Sequence, residues 1–142
     1  MALIVVYVSV ASDLLFNAAA HDYAAMLAKH LGGYGTAGWL GNQGRFERNM
    51  KAIESGIWKM HILPVSEKPW PQGMPVHQRK SDNYLVYAQH WYHDSHYQII
   101  AVIIPDAHYR IDKLLDGLIQ TVESSFQSLN EQELKLLNHI SS

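Results

Sequence analysis

Apolar positions along the chain follow two periods, and the switches between them mark the elements. Leu3 to Val10 is a short β-branched run, which predicts a buried strand. Ser12 or Asp13 offers a side-chain oxygen to the free N–H groups of a helix that follows. That helix carries Leu14, Leu15, Ala18, Tyr23, Met26, Leu27 and His30, and it stops at Gly32-Gly33, where a left-handed C-cap costs least. Gly33 to Gly41 reads as a loop, and Arg45 to Glu54 as a second, short helix with Arg45, Arg48 and Lys51 at spacings of three. Through Ile57 to Val65 the period becomes two. Trp58, Met60 and Ile62 then share one face of a strand, with Lys59 and His61 on the other. The Pro-rich stretch from Lys68 to Pro75 is too irregular for an element. Asn83 to Gln89 and Tyr97 to Ile104 predict two more strands, with Asp94-Ser95 in the turn between them. Ile99 to Ile104 is apolar on both faces, which places it centrally in the sheet, and Pro105 ends it.

The C-terminal part returns to helical spacing. Leu114, Leu115, Leu118, Ile119, Val122 and Phe126 mark a packed face. Asn130 with Glu133 three residues on forms a capping box that opens a last helix through Leu134, Leu136 and Leu137. The order β-α-α-β-β-β-α-α describes an α+β fold with a mostly antiparallel four-stranded sheet packed by helices. With 142 residues and no internal repeats, residues 1–142 read as a single domain.

Composition narrows the function classes. The chain is 48% hydrophobic and 17% charged, which excludes disorder. It holds no Cys, so disulfides, thiol catalysis and zinc–thiolate sites fall away together, in keeping with a reducing cytoplasm. The apolar run Ala2 to Val10 is about half the roughly 20 residues of a membrane span, so no membrane association is expected and the location is read as cytoplasmic. The net charge of −2 argues against a general nucleic-acid binder. That total is uneven, however. Residues 29–80 hold eight Lys and Arg against three acids, whereas residues 81–142 hold three against eight.

Three polar groups are candidates for chemistry. Lys59 and His61 point the same way from one strand, a cation beside a titratable imidazole, although an ordinary solvent-facing strand surface accounts for them as well. Arg79-Lys80-Ser81-Asp82 enters the next strand with two adjacent cations able to clamp a phosphate, and with Asp82 able to orient Arg79 or a nearby His. A solvated charged turn is the plain alternative. Pro105-Asp106-Ala107-His108 ends the central strand, where His108 can face a cleft and Asp106 can fix its tautomer or cap the helix. The nine His include His90, His93 and His96, which invite a metal reading, but they fall in a hairpin loop without a His-Glu-x-x-His spacing. A metal-dependent hydrolase built on that cluster therefore stays as an alternative. So does a non-catalytic interaction module using Trp39, Trp70, Trp91 and Tyr92.

The segments Arg79 to Tyr87 and Ile100 to His108 resemble the YafO family of bacterial toxins, with an Arg-Lys-Ser-Asp turn before a Leu-Val-Tyr strand and an apolar strand closing in Pro-Asp-Ala-His. The resemblance is good over the middle third of the chain and looser in the N-terminal helices. The Phe-Gly-Arg-Asp-like turn of relatives stands here as Leu40-Gly41-Asn42-Gln43, without its Arg and Asp. The resemblance implies a RelE-like toxin of a type II toxin–antitoxin system, an mRNA endoribonuclease that works on the ribosome without metal or cofactor. It further implies a cognate antitoxin, the ribosome and mRNA as partners, with homodimerisation a further option. The toxin-like core would then be about 1–128, and 129–142 a helical extension for dimerisation or antitoxin contact. On this reading His61 and His108 share the acid–base work, Arg79 clamps the phosphate with Lys59 or Lys80, Asp82 orients, and Tyr87 stacks on a base or bonds the phosphate.

Overall fold

A computed structural model describes residues 2–8 and 20–142. The expected caps Ser12 and Asp13, and Leu14, Leu15 and Ala18, lie outside the described residues. Strand β1 (Val5–Tyr7) precedes helix α1 (Ala20–Gly32), and an edge strand β2 (Leu40–Gly44) leads to a short helix α2 (Met50–Glu54). Strands β3 (Ile57–Ile62), β4 (Tyr84–Gln89) and β5 (His96–Ile103) form the centre. Helix α3 (Ala107–Val122) runs into a π-turn (Glu123–Gln127), and helix α4 (Glu131–Leu134) and strand β6 (His139–Ser141) close the chain.

The class is α+β, but among the described residues the sheet has six strands, in the order β2-β3-β4-β5-β1-β6, where the sequence predicts four. It is mixed: β1 pairs parallel to β5 and antiparallel to β6, and the other pairings are antiparallel. The long apolar strand β5 is central as its sequence predicts, with β4 on one side and β1 on the other. A bulge at Ile100 puts Ile100 and Ala101 on one face together.

Two strands escaped the sequence pattern. β2 is Leu-Gly-Asn-Gln-Gly, with no alternation to read. A Cβ at Gly41 would lie 2.5 Å from the Arg79 carbonyl oxygen, so glycine is what lets the two backbones meet. The Asn42 N–H donates to that same carbonyl at 2.9 Å. β6 is three residues long, below any periodic signal. The Asn130–Glu133 capping box is present, yet the helix it starts stops at Leu134, and β6 then lies along β1. The segment after 128 is thus a helical turn plus a sheet strand, not a helical extension. Ser142 Oγ accepts from the Ile4 N–H at 2.8 Å, joining the two ends of the described chain.

Helices cover both faces of the sheet. α1 packs Tyr23, Ala24 and Leu27 over Val6, Met60, Ile62, Leu85, Tyr87 and Ile99. α3 packs Ile111, Leu115, Leu118 and Val122 over Tyr84, Val86, Ala101 and Ile103, with Phe126 and Leu134 filling the end. Fully burying one such aliphatic side chain is worth about 1.5–3 kcal/mol, so these two layers dominate stability. At one margin of the α3 face, where α3 begins and β3 and β4 meet their connecting segment, the surface turns polar.

Candidate active site

The alternation of β3 behaves as its sequence predicts. Trp58, Met60 and Ile62 belong to the α1 face, whereas Lys59 and His61 stand on the α3 face. Opposite His61 across the ladder is Tyr84, and the two rings meet edge to face at 5.5 Å. Tyr84 is 3% exposed. The Lys59 ammonium lies 5.3 Å from its ring centroid and 4.9 Å from that of Phe46. The Tyr84 hydroxyl in turn lies 3.4 Å from Nδ1 of His108, on the first turn of α3. One buried tyrosine therefore touches both histidines and a lysine.

His108 is fixed from outside its own helix. Asp106 adopts a left-handed backbone conformation (φ 56°), which Asp tolerates, and its side chain makes no cap bond. The cap comes from Asp82: its carbonyl accepts from the Ala107 N–H at 2.9 Å, and its Oδ1 from the His108 N–H at 2.9 Å. A carboxylate at that helix end also faces the positive end of the dipole. Asp82 thus holds the backbone that carries His108.

The two imidazoles differ in environment. Nδ1 of His61 lies 2.6 Å from the Ser81 carbonyl oxygen, with the Ser81 N–H at 3.1 Å from the same nitrogen. Burial holds the His61 imidazole below the usual histidine range. Lys59 and Lys80 push the same way, against the Ser81 carbonyl and Asp82. His108, by contrast, is exposed. Burial, with Asp82 and Asp112 nearby, raises the Tyr84 phenol, so it stays a protonated hydroxyl.

Two expected members of the site are elsewhere. Arg79 is 4% exposed, and its guanidinium is spent on backbone carbonyls: Nε donates to Met74 at 3.1 Å, and Nη1 to Leu40 at 3.0 Å and Ala37 at 3.3 Å. It pins the β2 edge to the Pro-rich segment, and this geometry leaves no phosphate-facing fork. Tyr87 is 1% exposed on the α1 face, where its hydroxyl donates to Gln43 Oε1 at 2.9 Å. Three residues along an alternating strand change the face, so Tyr84, which sequence reasoning passed over, takes the place beside His61. Both tyrosines lie on the strand beside β3, and the register of that pairing is what selects Tyr84.

The other histidine group sits past the opposite end of β4, where His90 packs on Phe126. His90 accepts from the Tyr92 N–H at Nδ1 and donates to the Leu129 carbonyl from Nε2. The Tyr7 hydroxyl bonds Nδ1 of His96 at 2.6 Å, and ring contacts of 5.0 and 5.7 Å link His90, His93 and His96. Among the described residues no three His, Asp or Glu are arranged to hold a metal ion. Trp91 and Trp39 each donate their indole N–H to a backbone carbonyl, of Glu54 and Glu67. Clefts of about 370 and 330 Å³ border the outside of α1, at Ala25 and Met26, away from His61 and His108.

Among the described residues no helix is long and apolar enough to cross a membrane. No significant match to a curated protein or to a solved structure was found. The family model of toxin YafO, type II toxin–antitoxin system, matches residues 28–128, a span that holds β2 to β5, α3 and every residue of the Tyr84 cluster. Matched over well more than half its length, the chain belongs to the YafO family of toxins of type II toxin–antitoxin systems, which implies a cognate antitoxin as its partner.

Proposed function

We propose that this toxin is an endoribonuclease that cleaves mRNA on the ribosome, with its chemistry at the Lys59–His61–Tyr84–His108 cluster. The observation that carries the reading is the convergence of two imidazoles on one tyrosine, beside Lys59 and Lys80. Cleavage by a 2′-hydroxyl needs a base for that hydroxyl, an acid for the departing 5′-oxygen and cations for the charge gathering on the phosphate. The cluster supplies all three kinds of group from side chains of the chain itself. Lys59 and Lys80 take the phosphate role, and Asp82 orients His108 through its amide. Arg79 acts at a distance by holding the strand edge next to the turn that carries Lys80 and Asp82.

The test is induction of the chain in cells without antitoxin, followed by primer extension on ribosome-bound messages. Growth arrest with discrete breaks ending in 2′,3′-cyclic phosphate is expected. His108→Ala should lower cleavage by about 10²–10⁴-fold, the usual contribution of one general acid or base. Because His108 is exposed, the same variant should keep its stability within about 0.5 kcal/mol. Arrest with intact messages, or full toxicity of both His61→Ala and His108→Ala, would refute the reading.

A further inference from the structure

Within that endoribonuclease reading, on which the inference rests, the surroundings of the two histidines divide their roles. We propose that His61 is the general base, acting through Nε2, that His108 is the general acid, also through Nε2, and that Tyr84 is the positioning residue that aims His108 through its hydroxyl. Nδ1 of His61 and the Ser81 carbonyl oxygen are 2.6 Å apart. Two lone pairs at that distance repel, so Nδ1 carries the proton and donates it to Ser81, although the Ser81 N–H at 3.1 Å competes for the same nitrogen. The lone pair is then left on Nε2. Burial between Lys59 and Lys80 keeps the ring neutral, as a base must be.

His108 presents the opposite case. Its Nδ1 faces the Tyr84 hydroxyl, which can donate to it when the ring is neutral and accept from it when the ring is charged. Nε2 is therefore the nitrogen left for substrate in either state. His108 is exposed, so that nitrogen is open to solvent and substrate. In the step itself the 2′-O–H proton moves to Nε2 of His61 as the 2′-oxygen bonds phosphorus. The P–O5′ bond breaks, and Nε2–H of His108 protonates the leaving 5′-oxygen. No water or oxidant is consumed, and exchange with solvent resets both rings.

The decisive experiment uses ribosome-bound mRNA with a single 5′-bridging sulfur at the site mapped with the wild type. A thiolate leaves without a proton, so a missing acid no longer matters. His108→Ala and Tyr84→Phe should be slow on the oxygen message and return to within about threefold of the wild type on the sulfur message, whereas His61→Ala stays slow on both. Histidine ¹⁵N spectra of the whole protein at pH 7.5 give a readout independent of activity. They should show His61 protonated on Nδ1, and a folded Tyr84→Phe protein with only the His108 signals moved. Rescue of His61→Ala in place of His108→Ala, a Tyr84→Phe enzyme as fast as wild type on the oxygen message, or a His61 proton on Nε2 would overturn the assignment alone. A wild type that cleaves neither message overturns the nuclease reading and the assignment with it.

Discussion

Replacing Arg79 separates a structural cation from a catalytic one. The buried guanidinium donates to the carbonyls of Met74, Leu40 and Ala37, and its own carbonyl receives the Asn42 N–H. Arg79→Ala removes three charge-assisted bonds and leaves their acceptors behind. Each such bond is worth about 1.5–3 kcal/mol when one partner is deleted. The bond to Leu40 is fully buried, while water entering the vacated space recovers part of the other two. A net loss of about 3–5 kcal/mol follows, at the upper end for a point substitution. With a urea slope of about 2 kcal/mol/M for a chain of this size, the unfolding midpoint should fall by about 2 M. Tryptophan fluorescence during urea unfolding reads this directly. Arg79→Lys should recover less than half of the loss, because one ammonium cannot reproduce the spread of a planar fork. A phosphate clamp makes the opposite forecast, a stable Ala variant without activity. If Arg79→Ala unfolds within about 0.3 M of the wild type, the structural assignment is wrong.

Two more outcomes follow from buried groups. His61, His90, His96 and His30 all have folded-state values lowered first by burial, so the native chain binds fewer protons than the unfolded chain near the ordinary value of 6.5. Stability should be level above that value and fall as pH drops through 6.5 and below it. Urea midpoints at a series of pH values check this, and a midpoint that rises on acidification contradicts it. Gln127 is buried, donates to the carbonyls of Ser55 and Gln89 and accepts the Trp91 N–H, each at 2.8 Å. Gln127→Ala should cost about 2–4 kcal/mol, seen as a lower melting temperature, and an unchanged melt would refute its role as a tie between the π-turn and the β3–β4 region.

What the chain's pattern showed and hid follows from the range of the forces involved. The face assignment of β3, the central place of β5 and the Asn130 capping box rest on local periodicity or a four-residue motif, and each appears in the structure. β2 and β6 owe their strand form to partners far along the chain, Ile62 and Lys59 for one and Val5 to Tyr7 for the other, so neither segment announces it. The candidate site was half legible for the same reason. Lys59 and His61 were readable from alternation, and His108 from its position after the strand-ending proline. Tyr84 and Tyr87 look alike in sequence, and the pairing of β4 with β3 decides which one meets His61. Arg79 misled because a cation in a polar turn looks the same whether its fork faces water or three carbonyls.

The charge count changes in the same way once each cation has a place. The basic surplus of residues 29–80 suggests a phosphate-binding patch, but Arg79 is buried on carbonyls, and Arg45 lies 4.1 Å over the Trp58 ring with Nη2 on the Ile53 carbonyl. Around the histidines stand Lys59, Lys80 and Arg110, the last donating to the Pro105 carbonyl, and they share the margin with Asp82, Asp106 and Asp112. Two or three phosphate contacts give a single strand little affinity at physiological salt, since each contributes a log–log salt slope of about −0.7. Such a patch can stabilise one phosphate during reaction without capturing RNA from solution. The proposed reading requires that arrangement: the strand is delivered by the ribosome, and the chain contributes the two imidazoles, the tyrosine that joins them and enough positive charge for a single scissile bond.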